Sequence, residues 1–349
     1  YVADTNNNAI RKITPGGLVS TLTSSLNKPR GLYVIEDGKI LVADTDNHAI
    51  KLVSDPSGTV TLIAGGAQNV VTSCPIGTCA ARNTHNCGNE FNRPYDVIGK
   101  KTNIGGGYRY DIVVADTDNH AIQSVSYVSS GASTSCQARW RAGDGRGFSQ
   151  DSPARFNTPV ALAPAEFDSS GNPIIKQISE SWFYVFVADK GNNLIREVWF
   201  VDNSPFSPPQ TVASPAVGML TAGFADGDAL FATPNGQAGY APNTVRLRSP
   251  EGIFVANSGA VSMGSSGYEK FYIADSGNDA IRFESGPGSA WTAVGGPGWW
   301  LAPISTLSCP TACTADDVII RIDAPTNAHG QKYDQTPAYP VEICYSRVF

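Results

Sequence analysis

The chain has 349 residues, which is enough for one large all-β domain or for two smaller domains. Its formal net charge is −6, and its 25 Lys and Arg residues are scattered in runs of no more than two, so nucleic acid is not expected as a partner. No apolar run reaches the roughly 18–20 residues of a membrane helix, so membrane insertion is not expected either.

A pattern of eleven residues recurs along the chain and predicts most of its fold. It occurs at residues 1–11, 41–51, 113–123, 186–196 and 272–282. The first copy reads Tyr-Val-Ala-Asp-Thr-Asn-Asn-Asn-Ala-Ile-Arg. Each copy predicts a β-hairpin, in which apolar residues enter, an Asp-x-x-Asn turn reverses the chain and an Ile-Arg strand leaves. The repeated aspartates are Asp4, Asp44, Asp116, Asp189 and Asp275.

The chemistry of the turn explains the choice of residues. Asp and Asn side chains bond nearby backbone amides and tolerate left-handed geometry. Gly191 and Gly277 stand where the other copies have Asn or Asp, which predicts a positive φ at that position.

Two further elements flank the hairpins. Asn-x-Pro or Arg-x-Pro, here called the proline loop, precedes a strand at residues 27–29, 92–94, 157–159 and 248–250. Proline suits the start of a strand because it has no N–H to contribute to the ladder. An outer strand leading to Ala-Gly is expected at residues 60–65, 140–143 and 219–223. Four antiparallel strands per unit predict the blade of a β-propeller.

These elements resemble the NHL repeat family. The resemblance extends from residue 1 to about 295, and its most specific parts are the Val-Ala-Asp-x-x-Asn-x-x-Ile-Arg hairpin and the Asn-x-Pro-x-Gly-Leu strand start. Residues 144–159 look like the loop between blades in secreted and bacterial members. The resemblance implies an all-β propeller, commonly of six blades, and we expect five or six four-stranded blades here.

Spacing and composition divide the chain further. The repeated aspartates lie 40, 72, 73 and 86 residues apart, whereas a compact blade takes ~40–50 residues. We therefore expect insertions between blades at about 66–90, 125–139, 163–180, 200–218 and 231–246. The predicted domains are a propeller over residues 1–298, whose first blade lacks its inner strand, and a Cys-bearing β segment over residues 299–349. That segment either closes the ring, for example through residues 317–323, or begins another module.

Metal binding has two interpretations. Two turns combine acidic and amide side chains, at Asp44, Asp46 and Asn47 and at Asp116, Asp118 and Asn119. In one interpretation these oxygens bind calcium locally. In the other they cap the turn, since one Asp per blade cannot converge with the others on a single ion. His48 and His120 lie on turns expected to face solvent, so a central three-His zinc site is not expected. Asp96 and Glu251 lie near strand starts without an evident cluster, and no cofactor is predicted.

Seven cysteines indicate an oxidising compartment, and their odd number leaves one thiol free or paired outside the chain. They are Cys74, Cys79, Cys87, Cys136, Cys309, Cys313 and Cys344. Connectivity is open, with Cys74–Cys87 and Cys79–Cys136, or Cys309–Cys313, as alternatives. Zinc ligation by Cys74, Cys79, His85 and Cys87 is the competing interpretation.

Two segments outside the repeat are candidates for modification or contact. Residues 202–216 carry three Ser-Pro steps and one Pro-Pro step, typical of O-glycosylated loops or of stiff connectors. The O-glycosylation candidates are Ser204, Pro205, Ser207, Pro208, Pro209, Ser214 and Pro215. Trp299 and Trp300, after Gly-Pro-Gly, are candidates for contact with protein or sugar.

No residue is assigned a catalytic role. The predicted function is a non-catalytic binding or structural module of an extracellular or cell-surface protein. Its expected partners are other protein chains or domains of the same assembly, with carbohydrate as a further candidate. Two alternatives stay open, namely a secreted metal-dependent propeller hydrolase or lyase, and an intracellular interaction scaffold of NHL type.

Overall fold

The chain folds almost entirely into antiparallel β-sheets. A computed structural model describes residues 1–35, 38–66, 85–87, 91–143, 146–148, 154–165, 167, 173–175, 182–201, 210–224, 245–256, 270–284, 292–295, 318–322 and 341–345. Regular structure in these ranges consists of strands and short 3-10 turns. None of those turns is long and apolar enough to cross a membrane. The predicted all-β class is confirmed.

Five successive sheets follow the five hairpin motifs. Sheet 1 contains β1 (Val2–Asp4), β2 (Ala9–Ile13) and β3 (Val19–Thr23). Sheet 2 contains β4 (Pro29–Ile35), β5 (Lys39–Asp44), β6 (Ala49–Ser54) and β7 (Val60–Gly65). Sheet 3 contains β8 (His85–Asn86), β9 (Asp96–Ile104), β10 (Gly107–Asp116), β11 (Ala121–Ser130) and β12 (Ser133–Ala142).

The remaining strands form two further full sheets and a small one. Sheet 4 contains β13 (Pro159–Pro164), β14 (Trp182–Asp189), β15 (Leu194–Val201) and β16 (Gln210–Gly218). Sheet 5 contains β17 (Gly252–Ala256), β18 (Lys270–Asp275), β19 (Ala280–Glu284) and β20 (Thr292–Gly295). The C-terminal segment contributes a two-stranded sheet of β21 (Val318–Ile322) and β22 (Val341–Tyr345).

Each motif forms the central hairpin of its sheet, as its sequence predicts. In sheet 2, for example, Asp44 pairs with Ala49 across a 3-10 turn of residues 45–47. Strand order follows chain order in sheets 2, 4 and 5. Among the described residues sheet 1 has three strands and no counterpart of β4, whereas sheet 3 gains β8 at its outer edge.

The hydrophobic core lies between successive sheets. Alternate residues of a strand point to opposite faces. Leu41 of sheet 2 accordingly packs with Val114 of sheet 3, while its neighbour Val42 packs with Ile10 of sheet 1. The face of a sheet toward the following sheet is called its forward face, and the opposite face its rear face.

The first strands of consecutive sheets are adjacent and therefore innermost. β4 contacts β9, β9 contacts β13, and β13 contacts β17, while β1 contacts β4. Sheets that stack face to face and converge through their first strands are the blades of a β-propeller. The predicted fold class is confirmed, with a short C-terminal β segment outside the five sheets.

Several expected insertions between blades are wrong. Residues 125–139 belong to β11 and β12, which are ten residues long each. Residues 165–181 lie between β13 and β14 of one sheet, residues 210–218 form β16, and residues 219–223 follow that strand. β21 pairs with β22 rather than with β1. Sequence spacing counts residues, and it cannot distinguish a longer hairpin from an inserted loop.

Candidate functional site

The repeated aspartate is the centre of a buried hydrogen-bond hub. In sheet 4, Asp189 has no exposed surface, and its Oδ2 accepts from Asn192 Nδ2 at 2.8 Å and pairs with Arg196 at 3.1 Å. Its Oδ1 accepts the backbone amide of Asn157 at 2.7 Å. This aspartate hub therefore connects the turn, the third strand and the proline loop of one sheet.

The hub recurs with one variable position. Asp44, Asp116 and Asp275 also have no exposed surface, and each accepts a proline-loop amide at 2.6–2.7 Å. These amides lie 17 to 32 residues before the aspartate, so the expectation of bonds to nearby amides is wrong for these sheets. In sheet 1, Asp4 does accept the nearby backbone amide of Asn7. The residue seven positions after the aspartate is Arg11, Lys51, Gln123, Arg196 and Arg282 in sheets 1 to 5.

The neutral residue in sheet 3 changes the electrostatics of its hub. Gln123 Nε2 donates to Asp116 Oδ2 at 2.7 Å where the other sheets place a cation. Burial raises the pKa of Asp116 to about 7. Burial also raises the pKa of Asp189, to about 6, although Arg196 opposes the rise. Asp116 is thus held in the core by hydrogen bonds to neutral partners.

Close approach explains the glycines of the turns. The amide of Gly191 donates to Asn157 O at 2.8 Å, and a Cβ on Gly191 would lie 2.4 Å from the Asn157 side chain. The positive φ occurs two residues later, at Asn193 (58°). The predicted positive φ at Gly191 and Gly277 is therefore wrong, since glycine there makes room for the proline loop.

A second set of hydrogen bonds joins neighbouring sheets. In sheets 1 to 4, the left-handed residue that ends the turn accepts the amide of the middle residue of the next proline loop, which is left-handed too. The bonds join Asn8 to Lys28, His48 to Arg93, His120 to Thr158 and Asn193 to Ser249, at 2.8–3.1 Å. The expectation that His48 and His120 face solvent is wrong, because their Nδ1 atoms serve this inter-sheet clasp.

The residue after the repeated aspartate strengthens the clasp. Its threonine hydroxyl donates to the carbonyl of the proline in the next sheet at 2.7–2.8 Å, joining Thr5 to Pro29, Thr45 to Pro94 and Thr117 to Pro159. In sheet 4 the position is Lys190, which forms an ion pair with Glu251 of sheet 5. Four successive junctions are therefore fixed by side chains as well as by apolar packing.

All five sheets line one central pocket of about 310 Å³. Its walls are Thr5, Arg30, Gly31, Tyr95, Asp96, Val160, Ala161, Glu251, Gly252 and Ile253. Nearly all of them directly follow the proline of a proline loop. The structure thus places Asp96 and Glu251 around the same pocket, where sequence reasoning found no evident cluster. Superimposing the four proline loops by their proline would have revealed these positions.

Asp96 ties three inner strands together at the pocket. Its Oδ1 accepts the amide of Val97 at 2.9 Å, and its Oδ2 accepts the amide of Leu162 in the next sheet at 2.8 Å. A Cβ on Gly31 of the preceding sheet would lie 2.1 Å from the same carboxylate. Asp96 keeps some surface toward the pocket, yet burial raises its pKa to about 7.

The rim of the pocket combines charge with an aromatic ring. The guanidinium of the exposed Arg30 lies 4.2 Å from the ring centroid of Tyr95, a cation–π geometry. Glu251 is exposed and paired with Lys190. A cation stacked on an aromatic ring suits contact with polar protein or carbohydrate groups.

The calcium candidates are bonded to donors of the protein itself. Asp44 pairs with Lys51 at 2.5 Å, and Asp46 pairs with Lys28 at 3.2 Å. Asp118 lies 3.6 Å from Arg93, and the amide nitrogens of Asn47 and Asn119 donate to Asp44 and Asp116. These oxygens are bonded to donors of the protein, and a cation would have to displace those donors. Within the described ranges no three His, Cys, Asp or Glu residues group as metal ligands.

One disulfide joins an inter-sheet loop to an outer strand. Cys87, just after β8, is bonded to Cys136 of β12, with Cα atoms 5.4 Å apart. This pairing differs from both Cys74–Cys87 and Cys79–Cys136, and it removes Cys87 from any zinc site. The disulfide lines a groove of about 550 Å³ between β7 and β12, with Leu62 half exposed at its edge.

Several sequence candidates lie outside the described residues. They are Cys74, Cys79, Cys309, Cys313, Trp299, Trp300, Ser204, Pro205, Ser207, Pro208 and Pro209. Ser214 and Pro215 lie in β16 and Cys344 lies in β22, where the backbone alone is described. Their proposed modifications, contacts and bonds stay predictions.

Comparison with known proteins agrees with the repeat. The NHL repeat model matches residues 26–51, which contain the proline loop and hairpin of sheet 2. No curated protein matches the sequence significantly.

Similar solved structures include an auxiliary nutrient binding protein from Bacteroides thetaiotaomicron (14% identity, TM-score 0.44, covering 82% of this chain and 52% of that one). A second example is virginiamycin B lyase from Staphylococcus aureus (12% identity, TM-score 0.34, covering 84% of this chain and 64% of that one). A third is the PQQ-bound aldose sugar dehydrogenase from Streptomyces coelicolor (12% identity, TM-score 0.34, covering 94% of this chain and 96% of that one). The chain thus matches 52% and 64% of the length of the first two.

The repeat matched at residues 26–51 does not stand alone in the chain. The same eleven-residue motif occurs five times, and each copy forms the central hairpin of its own sheet. In sheets 2 to 5 the motif aspartate binds a proline loop in the same way. The chain therefore carries an NHL repeat at residues 26–51, and the hairpin motif of that repeat recurs in all five sheets.

Proposed function

We propose that this chain is a non-catalytic binding and structural module of an extracellular or cell-surface assembly, and that its partners are other protein chains or domains of that assembly. One observation carries the proposal, namely that both carboxylates of the central pocket are engaged within the protein. Asp96 accepts two backbone amides, and Glu251 is paired with Lys190. A general base or metal ligand needs a carboxylate lone pair that is available to substrate or ion, and these bonds within the protein compete for the lone pairs of Asp96 and Glu251.

The junctions between sheets support a scaffold role. Side-chain clasps at four junctions hold the sheets in a fixed order, so surface groups are presented with little conformational freedom. Rigid presentation lowers the entropic cost of binding a partner. The Arg30–Tyr95 pair at the pocket rim is the contact that we expect a protein partner to use, with carbohydrate as the second candidate.

The compartment is inferred from cysteine chemistry. A disulfide such as Cys87–Cys136 persists in oxidising surroundings and is rare in the cytosol. A thiol count on denatured protein tests this part of the proposal. We expect Cys87 and Cys136 to react with a thiol reagent only after reduction, whereas seven reactive thiols without reductant would establish the intracellular scaffold instead.

The enzyme alternative is tested on the same preparation. Wild type, Asp96→Asn and Glu251→Gln are assayed for lactone and ester hydrolysis with and without added divalent metal, and bound metal is measured by mass spectrometry. We expect no turnover that depends on either carboxylate. One tightly bound ion per chain, lost in Asp96→Asn together with a hydrolytic activity, would replace the binding module by a metal-dependent hydrolase.

Partner binding is tested by cross-linking the secreted protein on the cells that produce it. We expect the wild type to be cross-linked to a discrete partner protein. Arg30→Glu is expected to lose this cross-linked product, because the substitution reverses the charge at the pocket rim. Lys100→Glu makes the same charge change at an exposed site of β9 away from the pocket and serves as the control. Equal cross-linking of wild type and Arg30→Glu would remove the pocket rim from the binding surface.

A further inference from the structure

The charges around the central pocket are compensated unequally. Glu251 is paired with Lys190, and both carboxylate oxygens of Asp96 accept backbone amides. Arg30 also lines the pocket, but it has no ion-pair partner in the part of the chain that the structure describes. Its guanidinium makes the cation–π contact with Tyr95 at 4.2 Å. The pocket rim therefore presents a cation whose charge the described residues leave uncompensated.

The acidic side chains of the neighbouring turns are already paired with other cations. Asp46 pairs with Lys28 at 3.2 Å and with Arg93 at 3.1 Å. Asp118 lies 3.6 Å from Arg93. These carboxylates are therefore held by Lys28 and Arg93, and neither forms an ion pair with Arg30.

Asp96 does not replace the missing counter-ion. It lies in the pocket wall, yet it forms no ion pair with Arg30. Burial raises the pKa of Asp96 to about 7, so about half of these side chains are uncharged at neutral pH. The amides of Val97 and Leu162 hold the charge that remains. An anion at Arg30 therefore meets less repulsion from Asp96 than from a carboxylate that is fully ionised.

The contact with Tyr95 prepares Arg30 for binding a carboxylate. A guanidinium contacts an aromatic ring through its face, whereas its N–H donors lie in its plane and match the two oxygens of a carboxylate. The ring also holds the long side chain in place, which reduces the entropy lost when a ligand binds. Arg30 can therefore keep its contact with Tyr95 while it binds an anion at its edge.

The rest of the pocket fits the stem of a single side chain. Its other walls include the small or apolar residues Gly31, Val160, Ala161, Gly252 and Ile253. The pocket volume of about 310 Å³ lies at the lower end of the range for ligand sites. Such a pocket admits one acidic side chain, with its methylene groups against the apolar wall and its carboxylate at the rim.

We propose that the central pocket recognises an acidic segment of a partner protein, in which the carboxylate of a Glu or Asp side chain binds the Arg30 guanidinium. This inference rests on the proposed function and names the chemistry of the partner. The uncompensated charge of Arg30 favours a carboxylate over the hydroxyl groups of a neutral sugar. The apolar walls favour a side chain that carries methylene groups.

Binding of short peptides to the full chain tests the proposal. The probe is the blocked pentapeptide acetyl-Gly-Ala-Glu-Ala-Gly-amide, and its Gln analogue is the uncharged control. Saturation-transfer NMR at low ionic strength measures the affinity of both peptides. We expect the wild type to bind the Glu peptide at least about tenfold more tightly than the Gln peptide, because the Gln peptide cannot form a hydrogen-bonded ion pair.

Variants of two arginines locate the binding site. Arg30→Gln is expected to bind the Glu peptide at least about tenfold more weakly than the wild type does. Arg30→Lys is expected to recover only part of this loss, because an ammonium group does not present the planar fork of donors. Arg248→Gln is the matched control and is expected to bind like the wild type, since Arg248 is exposed in the proline loop of sheet 5 but is not among the residues that line the pocket. Thermal melts check that the variants are folded, which is expected because both arginines are exposed.

The contrary outcomes are distinct. Equal binding of the Glu and Gln peptides, or an affinity for the Glu peptide that Arg30→Gln leaves unchanged, would overturn the proposal. Binding of oligogalacturonate without binding of the Glu peptide would assign Arg30 to an acidic polysaccharide, and would overturn it too. A partner that is cross-linked on cells and lost in Arg30→Glu, in a protein that does not bind the Glu peptide, would leave the proposed function standing and remove the acidic segment.

Discussion

Two isosteric substitutions separate the ionic hub from the neutral one. Asp189→Asn removes the carboxylate that faces Arg196, whose side chain has no exposed surface. Asp116→Asn makes the same change in sheet 3, where the facing residue is the neutral Gln123. Both variants keep an oxygen to accept the proline-loop amide, so the pair isolates the contribution of the cation.

The two substitutions are expected to change the free energy of unfolding by different amounts. Arginine stays protonated, so Asp189→Asn leaves a buried cation without its counter-ion, which costs about 3–5 kcal/mol. Asp116→Asn removes a carboxylate whose burial raises its pKa to about 7, and the amides of Asn119 and Gln123 rotate to accept from the new donor. At pH 8 we expect Asp116→Asn to lower the free energy of unfolding by less than about 1 kcal/mol, or to raise it.

Urea unfolding at pH 8, followed by tryptophan fluorescence, measures the difference. Asp189→Asn is expected to be less stable than Asp116→Asn by at least about 2 kcal/mol. Equal losses in both variants would refute the reasoning, because they would show that the hub depends on hydrogen bonds alone. Arg282→Gln in sheet 5, which recreates the sheet 3 arrangement, is expected to destabilise less than Asp275→Asn.

Three further predictions concern burial and close contacts. Burial raises the pKa of Asp116 and Glu197 to about 7. The folded chain therefore binds these protons more tightly than the unfolded chain. As the pH rises from about 4 to about 7, the free energy of unfolding is expected to fall by up to ~1.4 kcal/mol per pH unit for each group. Gly31→Ala is expected to lower Tm markedly, because its Cβ would meet backbone atoms of the next sheet at 2.6 Å. His48→Asn is expected to be nearly neutral, since asparagine occupies this position in other turns, whereas His48→Val loses the clasp and strains a φ of 52°.

Each of these predictions has its own control. Stability that rises with pH between 4 and 7 would contradict the first, and Asp116→Asn is expected to flatten the slope. Gly105→Ala, where a Cβ meets nothing within 4 Å, is the control for Gly31, and equal Tm losses would contradict the close approach. Equal stability of His48→Asn and His48→Val in thermal melts would remove the clasp as a source of stability.

The sequence predicted those parts of the fold that depend on local pattern. Five motif copies gave five central hairpins, and the proline loops marked the starts of the first strands. The apolar triplet at residues 41–43 is fully buried, because both faces of this strand are covered. The strand lengths beyond the motif were not predictable, since the long β11 and β12 contain few apolar residues at their far ends.

The site was harder to predict because its bonds are long-range. The acceptor role of Asp44 depends on an amide 17 residues earlier, and that of His48 on an amide 45 residues later in a different sheet. Local turn chemistry predicted a nearby backbone amide as the partner of Asp44 and solvent as the surroundings of His48, and the structure differs at both side chains. The Cys87–Cys136 disulfide likewise depends on β8 lying beside β12, which spacing alone does not reveal.

The five repeats also separate structural positions from candidate recognition positions within one molecule. Hub and clasp residues keep similar chemistry from sheet to sheet, because they satisfy corresponding bonds. The exceptions are Gln123 in the hub of sheet 3 and Lys190 in the clasp of sheet 4. The two residues after each proline vary from Arg-Gly to Tyr-Asp, Val-Ala and Glu-Gly, yet all eight line the central pocket. Gly31 and Asp96 are exceptions, because they contact a neighbouring sheet. At the other positions the clasps fix the backbone geometry, so side chains are expected to change the pocket without changing the fold. Exchanging Arg30 and Glu251 between sheets is therefore expected to alter partner binding and to lower Tm only slightly, through loss of the partly exposed Lys190–Glu251 pair. A large loss of Tm in the double exchange would show that these residues also hold the sheets together.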